Sequence, residues 1–108
     1  MKINDDKAVK ILGALAQTTR FQVFRLLMKQ GPEGLAAGVI SAELGVPQNT
    51  LSSHLAILSG AGVIQAARQG RSLIYSVDIE ATKDFIDYLV IDCCEGHPGI
   101  CSLPGFVP

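Results

Sequence analysis

A mainly helical domain carrying one small β-hairpin is the fold class that this 108-residue sequence predicts. Apolar residues recur at intervals of three and four through most of the chain, as they do along one face of a helix. One segment, VIQAARQGRSLIYSV, breaks that period with two extended arms around a glycine. Gly-Pro and Gly-Val-Pro breaks then cut the remainder into pieces of helix length.

Taken in order, a first helix runs from Asp5 to about Ala16, with Ala8, Ile11, Leu12 and Leu15 on its apolar face. Thr18 or Thr19 suits the cap of a second helix, whose Phe21, Val23, Phe24, Leu26 and Leu27 form a thick apolar side and which stops at Gly31-Pro32. GPEGLAAG reads as a loop. A short helix from about Ala37 to Leu44 ends at Gly45-Val46-Pro47, and Gln48 or Asn49 starts another that runs through Ser59. Leu51, Leu55 and Leu58 are its buried stripe, and Gly60 and Gly62 end it. Phe21, Phe24, Leu55 and Leu58 belong to the expected core. In the hairpin, Ile64, Leu73, Tyr75 and Val77 suit strands, and Arg68, Gln69, Gly70 and Arg71 make a basic tip. Helical period returns from Asp78 to about Cys93, with Thr82, Phe85, Ile86, Leu89, Val90 and Cys93 on one face. The expected division is one helical domain with its hairpin over 1–95 and a flexible, Gly- and Pro-rich tail over 96–108 that contributes a cysteine.

Composition narrows the function. The acidic Asp5 and Asp6 stand where a signal peptide wants positive charge, and no run reaches the ~18 apolar residues of a membrane span, so a soluble, cytoplasmic protein is expected. The net charge of −1 hides an asymmetry: residues 1–35 carry six Lys/Arg against three Asp/Glu, residues 36–76 two against one, and residues 77–108 one against six. Acid is confined to the C-terminal third. Affinity for DNA would therefore depend on dimerisation and geometry more than on bulk charge.

The stretch ISAELGVPQNTLSSHLAIL has the pattern of a helix-turn-helix. Its second helix is the one suited to the major groove of double-stranded operator DNA, and Gln48, Asn49, Thr50, Ser52, Ser53 and His54 are all hydrogen-bonding groups without an acidic member. A solvated helix usually carries Lys and Glu; this one is small, neutral and hydroxyl-rich. Arg68 and Arg71 around Gly70 would form a wing that reaches phosphates or the minor groove. His54 also fits a core-edge position with its ring bonded to the backbone.

ALAQTTRFQVFRLL, LGVPQNTLSSHLAILSGAGVI and RQGRSLIYSV resemble the winged-helix repressors of the ArsR/SmtB family, over about Ala8 to Cys94. The resemblance implies a winged helix-turn-helix joined as a homodimer through its first and last helices. It implies a palindromic operator, gripped by two recognition helices roughly 34 Å apart, and repression of a resistance operon until an inducer binds.

All three cysteines lie in CCEGHPGIC, from Cys93 to Cys101. They are too few and too clustered for a disulfide framework. Adjacent helical residues point about 100° apart, so Cys93 and Cys94 serve one site only where the helix ends, and the Glu95-to-Gly99 link is flexible enough to bring Cys101 back. Three soft thiolates without a sure fourth ligand suit a pyramidal As(III) or Sb(III) inducer better than tetrahedral zinc. The resemblance agrees, since several arsenic sensors of that family look like this, with a vicinal cysteine pair at the end of the last helix and a third cysteine nearby. Departures from other family patterns point the same way: Val39 to Leu44 contains no cysteine, and Asp78 to Asp92 no histidine. A zinc site of Cys93, Cys94, His97 and Cys101 and a redox switch are the alternatives, the second disfavoured by the acidic Asp92 and Glu95. The rival class, a thiol-based arsenical enzyme or metal carrier, lacks a CxxC pair and a phosphate-cradling glycine loop.

Overall fold

The structure, a computed structural model, describes residues 3–92. Cys93, Cys94, His97, Cys101 and the expected tail over 96–108 lie outside the described residues. Five helices and a three-stranded sheet follow in the order α1 (Asp5–Leu15), α2 (Thr18–Gln30), β1 (Leu35–Ala36), α3 (Ala37–Leu44), α4 (Gln48–Ala61), β2 (Ile64–Gln69), β3 (Ser72–Val77) and α5 (Ile79–Asp87). A 3-10 turn over Gly31–Glu33 follows α2, and a π-helical turn over Tyr88–Asp92 follows α5.

Local chemistry sets the ends of α1. The Asn4 side chain accepts from the Lys7 N–H at 2.8 Å, and Asp5 and Asp6 place negative charge at the positive end of the helix. Ala8, Ile11 and Ala14 are buried, whereas Val9 and the expected core residue Leu12 face outward. The cap of α2 differs from expectation too. Gln17 is extended and its side chain accepts from the Arg20 N–H at 2.8 Å, so helical geometry already begins at Thr18 and both threonines lie inside the helix. Val23 and Leu27 of α2 are fully buried, Phe24 is partly buried, and Phe21 is 47% exposed rather than core.

The supposed loop GPEGLAAG holds a strand. Leu35 pairs with Tyr75 and Ala36 with Ile74, antiparallel, giving the sheet order β1-β3-β2. Gly34 makes this pairing possible. Its φ is +71°, and a Cβ there would stand 2.4 Å from the Tyr75 carbonyl oxygen. The hairpin closes with Gln69 opposite Ser72, leaving Gly70 and Arg71 as a two-residue turn, with Gly70 at φ +62°. Arg68 therefore lies on β2 opposite Leu73, just behind the tip. Ile64 and Val77 at the hairpin base are buried, and everything from Gln65 to Leu73 is exposed, so the wing projects from an anchored root.

Two helices run differently from their expected course. Gly60 lies within α4, which continues to Ala61 and is closed by Gly62. On α5, Thr82 and Phe85 are buried as expected, and so is Val90, five residues beyond Phe85, but Ile86 of the same expected face is turned outward. The wider π-helical turn allows that spacing.

Ile11, Val23, Leu27, Ile40, Leu51, Leu55, Leu58 and Val63 are the largest fully buried side chains, so every helix from α1 to α4 contributes to one core. Gly34→Ala is expected to lower unfolding free energy by about 2 kcal/mol or more, through strain and collision with β3. Gly60→Ala, where an added Cβ meets nothing within 4 Å, should raise it by about 0.5–1 kcal/mol. Urea denaturation of both variants checks the pair.

Candidate nucleic-acid interface

The α3–α4 corner is built by three residues. Gly45 takes a left-handed conformation at φ +65° and its N–H donates to the Ser41 carbonyl, which also accepts from the Val46 N–H at 3.1 Å. The Ser41 hydroxyl donates to the Val46 carbonyl, so the turn is tied from both sides. Pro47 follows in extended geometry and needs no N–H there, because α4 begins after it. The Leu51 N–H then closes the first turn on the Pro47 carbonyl at 2.9 Å.

Burial of Leu51, Leu55 and Leu58 decides how α4 is rotated. Gln48, Asn49, Thr50, Ser52 and Ser53 are exposed, as the sequence leads one to expect, and His54 is half-buried at the edge of the stripe. The local hydrogen bonds sort them. Asn49 Oδ1 accepts from the Thr50 N–H at 2.9 Å, and the Ser52 hydroxyl donates to the Gln48 carbonyl at 2.9 Å. Gln48 leans over α3, its Nε2 standing 3.5 Å from where a Cβ on Gly38 would be. Ala56 and Ile57 extend the outward face by a turn, with Ile57 45% exposed. The face carries no carboxylate. Arg68 and Arg71 are exposed at the projecting end of the hairpin.

His54 is held by a residue that sequence reasoning passed over. Arg20, near the start of α2, donates from Nε to the Ala14 carbonyl at 2.6 Å, and its guanidinium Nη1 stands 3.4 Å from His54 Nδ1. Nothing in the sequence flags it. Arg20 is one of six cations in the first 35 residues, and its contact spans 34 positions. Among the described residues no three His, Cys, Asp or Glu side chains are grouped to hold a metal ion.

With that geometry in hand, comparison with known proteins is decisive. A helix-turn-helix domain family matches residues 15–65. The transcriptional activator HlyU of Vibrio cholerae is 30% identical over 97 residues, covering 90% of this chain and 87% of that protein. The chain belongs to the helix-turn-helix transcriptional regulators of the ArsR and HlyU type. An HTH-type transcriptional regulator of Methanocaldococcus jannaschii is 33% identical to this regulator over 81 residues, 75% of the chain and 89% of the relative. The homodimeric winged helix-turn-helix DNA-binding domain of a Mycobacterium bovis protein, described as a possible ArsR-family regulator, superposes with a TM-score of 0.66. It is 28% identical, and the match covers 86% of this regulator and 82% of that domain. These relatives regulate transcription, and membership implies a DNA-binding rather than an enzymatic role. No helix among the regulator's described residues is long and apolar enough to cross a membrane.

The tie across the corner has a measurable worth. Ser41→Ala is expected to cost about 1 kcal/mol in urea denaturation, through the lost hydrogen bond to the Val46 carbonyl.

Proposed function

We propose that this regulator is a homodimeric repressor that grips palindromic operator DNA and releases it when Cys93, Cys94 and Cys101 capture As(III) or Sb(III). One observation carries the DNA part: α4 buries a complete leucine stripe and turns outward a face of amides and hydroxyls without a carboxylate. Such a face approaches the polyanion without repulsion and matches base edges by hydrogen bonding. Exposed Arg68 and Arg71 on the wing supply phosphate contacts beside it.

Dimerisation draws support from the apolar side chains left outward on the first and last helices, Val9 and Leu12 of α1 with Ile79 and Ile86 of α5. The M. bovis domain is itself homodimeric. The Tyr88 hydroxyl hydrogen-bonds to Asp5, linking the end of the described chain to α1. Cys93 follows Asp92 directly in sequence, so an inducer there acts next to these helices.

The donor set supports the choice of inducer. Three thiolates are soft ligands and suit a thiophilic trivalent ion, and Cys101 is the ligand that the tail over 96–108 would bring back to the pair. Release requires the inducer to prefer the DNA-incompetent dimer, by a coupling of about 1–3 kcal/mol. His97 favours a second reading, a Cys3His zinc site with Cys93, Cys94 and Cys101.

Fluorescence anisotropy on DNA from upstream of the chain's own gene, with arsenite, antimonite or zinc added, tests the whole reading. Arsenite should weaken wild-type binding by about 5- to 150-fold. Single Cys93→Ser, Cys94→Ser and Cys101→Ser variants should bind DNA as the wild type does and ignore arsenite. Zinc release that needs His97 would favour the second reading, and undiminished binding with saturated thiols would end the sensor reading. Arg71→Ala should weaken binding to every duplex and reduce the slope of log K against log salt by about 1.

A further inference from the structure

We propose that Arg20 holds the His54 imidazole as an Nε2–H donor aimed at a phosphate oxygen of the DNA backbone. The inference deepens the DNA-binding reading of α4 and rests on it. A guanidinium has donors and no acceptor. His54 Nδ1, 3.4 Å from Arg20 Nη1, is therefore the acceptor of that contact, and the ring proton belongs on Nε2.

Arg20 is well placed to impose this choice. Its own N–H is capped by Gln17 at 2.8 Å and its Nε is anchored on the Ala14 carbonyl at 2.6 Å. Among the described residues His54 Nε2 has no hydrogen-bond partner, and the one buried side-chain polar atom lacking a partner is Thr82 Oγ1, so Nε2 reaches solvent.

No carboxylate of α4 competes for that N–H. His54 lies at the margin of the outward face, one turn beyond Thr50 and away from the centre of the face at Asn49, Ser53 and Ala56. A marginal donor meets the backbone beside the groove rather than base edges at its floor. Arg20 acts through His54 and is a positioning residue, and His54 is the group that touches DNA.

The tautomer is read without DNA, by ring 15N NMR of the full chain, with His97→Gln assigning the other histidine. His54 should show the Nε2–H form, and Arg20→Met should lose that single form; an Nδ1–H signature in the wild type overturns the proposal. Two further variants serve if Arg20→Met fails to fold. His54→Asn keeps an acceptor near the Nδ1 position without the outward N–H, and His54→Gln keeps an outward N–H without the inner acceptor.

Both are titrated against a duplex selected from a random-sequence library by the wild-type protein, and against an unrelated duplex. His54→Asn should weaken both complexes by about tenfold, and His54→Gln, which keeps an outward N–H but loses the hold of Arg20, should weaken them by less. Undiminished binding by His54→Asn, or a loss confined to the selected duplex, overturns the backbone contact. A wild-type chain that selects no duplex refutes the DNA-binding reading and this contact with it, while the NMR result separately decides the tautomer.

Discussion

The leucines at 51, 55 and 58 are almost wholly shielded from water, and the rotation of α4 about its own axis follows from keeping them there. Truncating any one would cost about 2–5 kcal/mol, whereas exchanging an exposed polar residue on the opposite face typically changes stability by about 0.5 kcal/mol or less. Turning the helix to present other side chains would expose the stripe. Side chains can thus vary on the outer face while the inner face holds the helix in one orientation.

Around that stripe, the remaining elements act as supports for two projecting surfaces. Gly45 and Ser41 set the corner that carries α4, and Arg20 reaches from α2 to its flank. At the other end of α4, the Lys7 ammonium stands against Gly62, where a cation favours the negative end of the helix. The wing depends on its root. Buried Ile64 and Val77 fasten the hairpin to the core, and β1 flanks β3, so an otherwise marginal two-stranded ribbon becomes part of a three-stranded sheet.

Electrostatics plays the smaller part. A chain of net charge −1 has little long-range attraction for DNA, so in the proposed dimer contacts of good geometry, repeated by symmetry, would supply what bulk charge does not. The same weakness would suit the proposed switch, because a coupling of only a few kcal/mol would be enough to release a grip that is not overwhelming. The acidic C-terminal third, including Asp78, Glu80, Asp84 and Asp87 of the described chain, keeps negative charge away from α4 in sequence.

The sequence alone determined the order of the helices, the helix-turn-helix, the hairpin and the polar outer face of α4, because each is written in short-range periodicity and in glycine and proline breaks. Leu51, Leu55 and Leu58 were legible at helical spacing, and Gly70 announced its turn. Only the tertiary structure decided what depends on partners distant in the chain. A two-residue strand at Leu35–Ala36 is too short to show alternation and exists through its pairing with β3. The outward turn of Phe21, Leu12 and Ile86 depends on neighbouring elements that no local window contains. Arg20 meets His54 across 34 positions, and that distance in sequence is why the residue reaching the flank of α4 was visible only once the chain was folded.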